Sequence, residues 1–134
     1  MMPVSQELLP MFLSHEELEP ALEDLSALCD MLDLDPNQDE ALSSLDAAWE
    51  DIRPRLMDHM RLEEQWIFPA VAAAGAPRPL VTSLMTAHER LRRAATRCTE
   101  DGSADPRLVA SFVRHFSAHA EYEERALSRF YARC

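Results

Sequence analysis

Glycine is scarce, with only two residues in 134. Set against the many Leu, Ala, Glu and Arg, this points to helices rather than to turn-rich β structure. No uninterrupted apolar run approaches the roughly 18 residues of a membrane span. Met1–Glu7 has no positive region, so it does not read as a secretory signal. Basic residues are the minority, 13 against 24 acidic ones, giving a net charge of -11 and a pI near 4.8. That balance argues against nucleic acid and against anionic membranes as partners. Cys29, Cys98 and Cys134 are odd in number and share no CxxC spacing. They are expected to be reduced thiols of a cytoplasmic protein.

What the chain does have is a globular composition, 47% hydrophobic and 28% charged, and a length suited to one domain over residues 1–134. Its core is expected in four amphipathic segments. In the first, Leu18, Leu22, Leu25, Leu28/Cys29 and Leu32 recur at steps of three and four. Pro20 predicts a kink there or a regular helix that starts beside it, which puts His15 on a bend. Ser14 and Glu17 have the form of a capping box. Asp33–Pro36 breaks the chain, and the second segment carries Leu42, Leu45, Trp49, Ile52, Leu56, His59 and Glu63 on one face. Pro54 predicts a bend in it, and Pro69 ends or interrupts it.

The third segment starts near Pro79, with Leu84, His88, Leu91, Ala95 and Cys98 on its stripe. The fourth starts at Asp105–Pro106 and carries Leu108, Phe112, His115, His119, Glu123, Leu127 and Phe130. Short connections between four such segments predict an all-α, up-down-up-down four-helix bundle.

One stretch organises the rest. His59-x-x-x-Glu63-Glu64-x-x-Ile67 is echoed by His119-x-x-x-Glu123-Glu124-x-x-Leu127, sixty positions later throughout. Residues four apart on a helix lie about 6 Å apart along the axis and on nearly the same face. Each segment thus presents an imidazole beside a carboxylate. His15-Glu16-x-Leu18 and His88-Glu89-x-Leu91 form a second echo, one ahead of each pair, so the chain reads as two diverged helical hairpins. All five histidines fall on predicted inward faces. Burying two carboxylates without partners is costly, and a metal ion offsets that cost. Imidazole and carboxylate donors with no thiolate suit iron, manganese or zinc, and two carboxylates suit a two-metal centre. The Glu-x-x-His motif of ferritin-like di-iron bundles is absent.

The pattern resembles a hemerythrin-like (HHE cation-binding) domain over nearly the whole chain, most specifically in His59–Pro69. The resemblance implies a non-haem centre of two iron ions, oxo- or hydroxo-bridged. His15 and His59 would serve one iron, His88 and His119 the other, with Glu63 and Glu123 bridging. An open position would take O2 or a similar small ligand. Oxygen carriers of this kind have a further His one turn after the lone His of the third helix, and here that position is Arg92, which cannot ligate. His115, one turn before His119, is the expected substitute. The carboxylate spacing in the fourth helix is four rather than five.

Glu16, Glu64, Glu89 and Glu124 read as capping or solvated residues, with a hydrogen bond to a ligand His as the alternative. Trp66, Phe68, Phe112, Phe116 and Tyr122 are expected in the core, with Phe116 walling the ligand pocket. Arg90, Arg92, Arg93 and Arg97 read as a solvated face. The functions that fit are O2 storage, delivery or sensing, or a metal-centred enzyme handling peroxide or nitric oxide or donating iron. A divalent-metal-binding interaction module is the third, and zinc or manganese is the alternative metal.

Overall fold

A computed structural model describes the backbone of residues 3–131 and the side chains of residues 10–128; Cys134 and the Phe130 side chain lie outside them. The elements are α1 (Pro3–Leu34), α2 (Asp39–Leu62), a π-helical turn (Glu63–Ile67), α3 (Phe68–Ala73), α4 (Arg78–Arg97) and α5 (Pro106–Tyr131). The π turn and α3 continue α2, so the chain forms the four rods of an up-down-up-down bundle. α1 packs along α2 and α5, and α4 packs chiefly on α5. No described helix is long and apolar enough to cross a membrane.

The predicted starts and stops are local chemistry. Asp105 accepts from the backbone N–H groups of Arg107 and Leu108 and so caps α5. Gly75 (φ 101°) closes α3: its N–H bonds the Ala72 carbonyl at 3.0 Å, and the Ala76 N–H bonds Val71 at 3.1 Å. This paired closure needs a left-handed residue, which glycine supplies at least cost.

Three prolines lie within unbroken helical runs. α1 runs through Pro10 and Pro20, and α2 through Pro54. All three are exposed, and so are Glu16 and Glu50, the residues whose carbonyls Pro20 and Pro54 leave without a helical donor. At Pro20, Arg55 of α2 also donates to the neighbouring Glu17 carbonyl at 3.2 Å. His15 therefore sits within a continuous helix, and Ser14 caps nothing. Pro69 is preceded by the π turn, in which the Phe68 N–H reaches back to the Glu63 carbonyl. The extra residue in that turn shifts the inward face by one position. Glu63 and then Ile67 and Phe68 are all buried, while Trp66 is left 69% exposed.

The core is in two parts. The larger runs from Leu18 and Leu22 through Trp49, Ile52 and Leu56 to Leu91, Phe112 and Phe116, and includes the free thiols Cys29 and Cys98. The smaller contains Met11, Ile67, Phe68, Val71, Leu84 and Leu127. Tyr122, one residue and about 100° of arc from inward-facing Glu123, is exposed.

Candidate metal centre

A polar layer separates the two apolar clusters, and every rod crosses it. α1 goes from Met11 to Leu18 through His15. α2 goes from Leu56 to Ile67 through His59 and Glu63. α4 goes from Leu84 to Leu91 through His88, and α5 from Phe116 to Leu127 through His119 and Glu123. Each of these side chains occupies the inward position that a Leu would otherwise fill. Glu63, His88 and Glu123 are fully buried.

Nε2 of all four imidazoles points at the two carboxylates. His59 Nε2 lies 3.2 Å from Glu63 Oε1, and His119 Nε2 lies 2.9 Å from Glu123 Oε2. Across the bundle, His88 Nε2 is 3.1 Å from Glu63 Oε1 and 3.3 Å from Glu123 Oε2. His15 Nε2 is 3.8 Å from Glu63 Oε2, 3.6 Å from Glu123 Oε1 and 3.0 Å from His59 Nε2. Two donor sets result, one of His15, His59, Glu63 and Glu123 and the other of His88, His119, Glu63 and Glu123. Each could hold a metal ion, and both carboxylates belong to both sets.

The donor chemistry fits metal ions better than it fits hydrogen bonding within the cluster. Both oxygens of Glu63, Oε1 of Glu123 and Nε2 of His119 are buried without an aligned hydrogen bond, although they lie close to one another. Leaving such groups unpaired costs roughly 1–3 kcal/mol each. Two donors about 2.1 Å from one ion stand about 3 Å apart at a right angle, which is the spacing found here.

In the metal-free cluster, protons supply part of the balance. Burial alone would depress His88, but the Glu123 and Glu63 carboxylates outweigh it and push the imidazole up to about 10. Burial likewise opposes charge on His15, and Glu123, Glu124 and Glu63 overcome it and raise the group. Burial would raise Glu123, yet the bonds to His119, His15 and His88 hold it well below the usual carboxylate range.

The outer nitrogens explain the second glutamate of each echoed motif. His88 Nδ1 donates to Glu64 Oε2 at 2.7 Å, and His15 Nδ1 donates to Glu124 Oε2 at 2.7 Å. The second Glu of each hairpin therefore braces the lone His of the other hairpin. His59 Nδ1 donates to Ser14 Oγ at 2.6 Å. A carboxylate or hydroxyl behind an imidazole fixes its tautomer and leaves the inner nitrogen free to ligate. The alternative reading of Glu64 and Glu124 is the one realised, whereas Glu16 and Glu89 are solvated. Ser14 was missed because its spacing to Glu17 imitates a cap; only its place one residue before a lone His could have hinted at this role.

Six of the seven residues expected at the centre come together. His115 does not. It is exposed, its Nδ1 donates to the Ser111 carbonyl at 2.7 Å, and it belongs to neither donor set. The reason is angular: Phe116 takes the inward position, and His115 lies about 100° around the helix from it. Leu108 is displaced outward in the same way, and Val109 is buried instead. Arg92, read from the sequence as part of a solvated face, donates to Glu64 Oε2 at 2.6 Å and so joins the brace on His88. Phe116 stacks edge-on against His59 with ring centroids 5.8 Å apart, and it lines a groove that reaches His15.

Comparison with known families agrees with this geometry. The family described as the hemerythrin HHE cation binding domain matches residues 11–131. No curated protein and no solved structure matches the chain.

Proposed function

The chain belongs to the hemerythrin HHE cation-binding family, and from that premise we propose a non-haem di-iron protein that binds O2 or a related small ligand for storage, delivery or sensing. The observation that carries this reading is the sharing of Glu63 and Glu123 between two His-His sets. A single ion held by one set would leave the two imidazoles of the other set unused. Nitrogen and carboxylate donors without thiolate suit iron, with zinc or manganese as the competing ions. Bound iron would supply one-electron and O2 chemistry that no protein side chain offers.

The chain's own residues do the rest. Glu124, Ser14 and Glu64 accept from the Nδ1 groups of three imidazoles, so each inner Nε2 would be turned to a bound ion as its ligating nitrogen. The two apolar clusters keep bulk water from the layer, and Phe116 and Phe68 press against His59 and His88. Arg92 neutralises the outer carboxylate of Glu64 without entering the layer.

A second reading is a metal-centred enzyme that handles peroxide or nitric oxide or donates iron. The exclusion of His115 favours it, because each set then has only two imidazoles, and sparse ligation suits redox turnover better than reversible storage. Burial raises the Cys29 and Cys98 thiols to about 11, which disfavours their thiolates.

Protein loaded with ferrous iron and then exposed to O2 tests the proposal. A spectral change reversed by removing O2 supports the carrier. Rapid irreversible oxidation supports the enzyme or sensor. A protein that retains only zinc and no iron under iron-replete loading contradicts both.

A further inference from the structure

The groove between α4 and α5 differs in charge from the rest of this acidic surface. Acidic residues outnumber basic ones 24 to 13 along the chain, yet none lines this groove, whereas Arg90, Arg97 and His115 do. The groove between α1 and α5 is lined instead by Glu19, Glu23, Glu121 and Glu124, with Arg114. On α4, Arg92 and Arg93 pair with Glu64 and Glu89. Arg90 and Arg97 have no carboxylate partner among the described residues. The groove has a volume of about 480 Å³, within the range of small-molecule sites. Its floor is apolar, built on Leu91 and Phe112.

At its inner end stands His119, whose side chain is one-tenth exposed. Its Nε2 is turned towards Glu123. Its Nδ1 is the exception among the four imidazoles: the other three outer nitrogens bond Glu124, Ser14 and Glu64, and this one has no partner among the described residues. One turn away, His115 commits Nδ1 to the Ser111 carbonyl and keeps Nε2 free.

We propose that this groove binds a small amphipathic carboxylate. Its head group accepts from Arg90, His115 and the outer nitrogen of His119, and its tail lies on Leu91 and Phe112. A guanidinium suits a carboxylate because it presents paired donors in one plane. Arg97, two turns or about 10 Å along α4, lies beside the tail with its aliphatic stem and extends the positive potential towards the groove mouth. The bound carboxylate would give His119 the outer acceptor that its three counterparts already have, and so would tune the centre. That coupling rests on the di-iron reading; the binding does not.

The test therefore uses the metal-free chain. Isotope-labelled protein is titrated with sodium octanoate and followed by NMR. The expected result is saturation at millimolar octanoate, with shifts confined to α4 and α5 and including the ring signals of His115 and His119. The exposed double substitution Arg90→Gln/Arg97→Gln, its helicity checked by circular dichroism, should weaken binding about tenfold or more. No saturable shift up to about 10 mM, shifts centred on the α1–α5 groove, equal binding of 1-octanol, or an unaltered affinity in the double variant would each overturn the proposal.

Discussion

Glu64→Gln probes the brace on His88 with little change in shape. The wild-type carboxylate accepts from His88 Nδ1 at 2.7 Å and from Arg92 at 2.6 Å through the same oxygen. An amide keeps one acceptor but loses the charge, and it brings an NH2 group that faces the Arg92 guanidinium badly. His88 is fully buried, so no water makes up for the weaker, uncharged acceptor. Outer-shell substitutions of this type cost about 10- to 100-fold in metal affinity, equivalent to roughly 1.4–2.7 kcal/mol. Only the His88–His119 set should feel it directly, since His15 and His59 are braced by Glu124 and Ser14. Competition of the metal-free protein against a chromophoric chelator should show two binding steps in the wild type. In Glu64→Gln one step should weaken by that factor, with the other nearly unchanged. Glu124→Gln should weaken the opposite step. Equal affinity for both ions in Glu64→Gln would refute the argument that the second glutamate of the motif positions the lone imidazole.

Other outcomes follow from the same geometry. His115→Ala should leave metal stoichiometry and affinity unchanged, because this side chain lies outside both donor sets; loss of one ion by elemental analysis would restore it as a ligand. In the metal-free protein, His88 titrates near 10 when folded against 6.5 when unfolded, and His15 is raised too. Their contribution to stability is therefore complete below about pH 6.5 and fades as pH rises towards 10. That of Glu123, whose folded value is depressed from 4.5, is present above pH 4.5 and is lost on acidification. Thermal melts should show the metal-free Tm falling between pH 6.5 and 9.5, with a flatter profile once metal is bound, and a flat metal-free profile would contradict the charge assignment. Metal uptake at pH 7 should likewise release protons into weak buffer. Phe112→Ala, at the centre of the larger apolar cluster and edge-on to Trp49 with centroids 5.3 Å apart, should cost about 3–5 kcal/mol in denaturant unfolding.

Much of this was legible because periodicity and chemistry reinforced each other. The stripe Leu84, His88, Leu91, Ala95, Cys98 is buried throughout, since a clean three-four alternation leaves one solution. The echo of His-x-x-x-Glu brings His59, Glu63, His119 and Glu123 into one layer for the same reason. Where two adjacent residues both fit the period, pattern alone could not choose. His115 and Phe116 lie three and four residues after Phe112, and the greater apolar area of Phe decided which turned inward. Pro69 was visible as an interruption, but not the π turn by which the chain absorbs it, so Trp66 was assigned to the core and is not there. Pro20 was read through its interior cost, yet it sits on the solvent face, where the chain continues as a helix. The braces from Glu64, Glu124 and Ser14 depend on contacts between rods, which no spacing within one segment reports.

The most direct measurement is the number and coupling of ions bound by the whole chain. Protein loaded anaerobically with ferrous iron, desalted and then oxidised should hold about two irons per chain, and those irons should be magnetically coupled, because Glu63 and Glu123 belong to both donor sets. One iron per chain, or two irons that behave as isolated centres, would contradict the shared-carboxylate account.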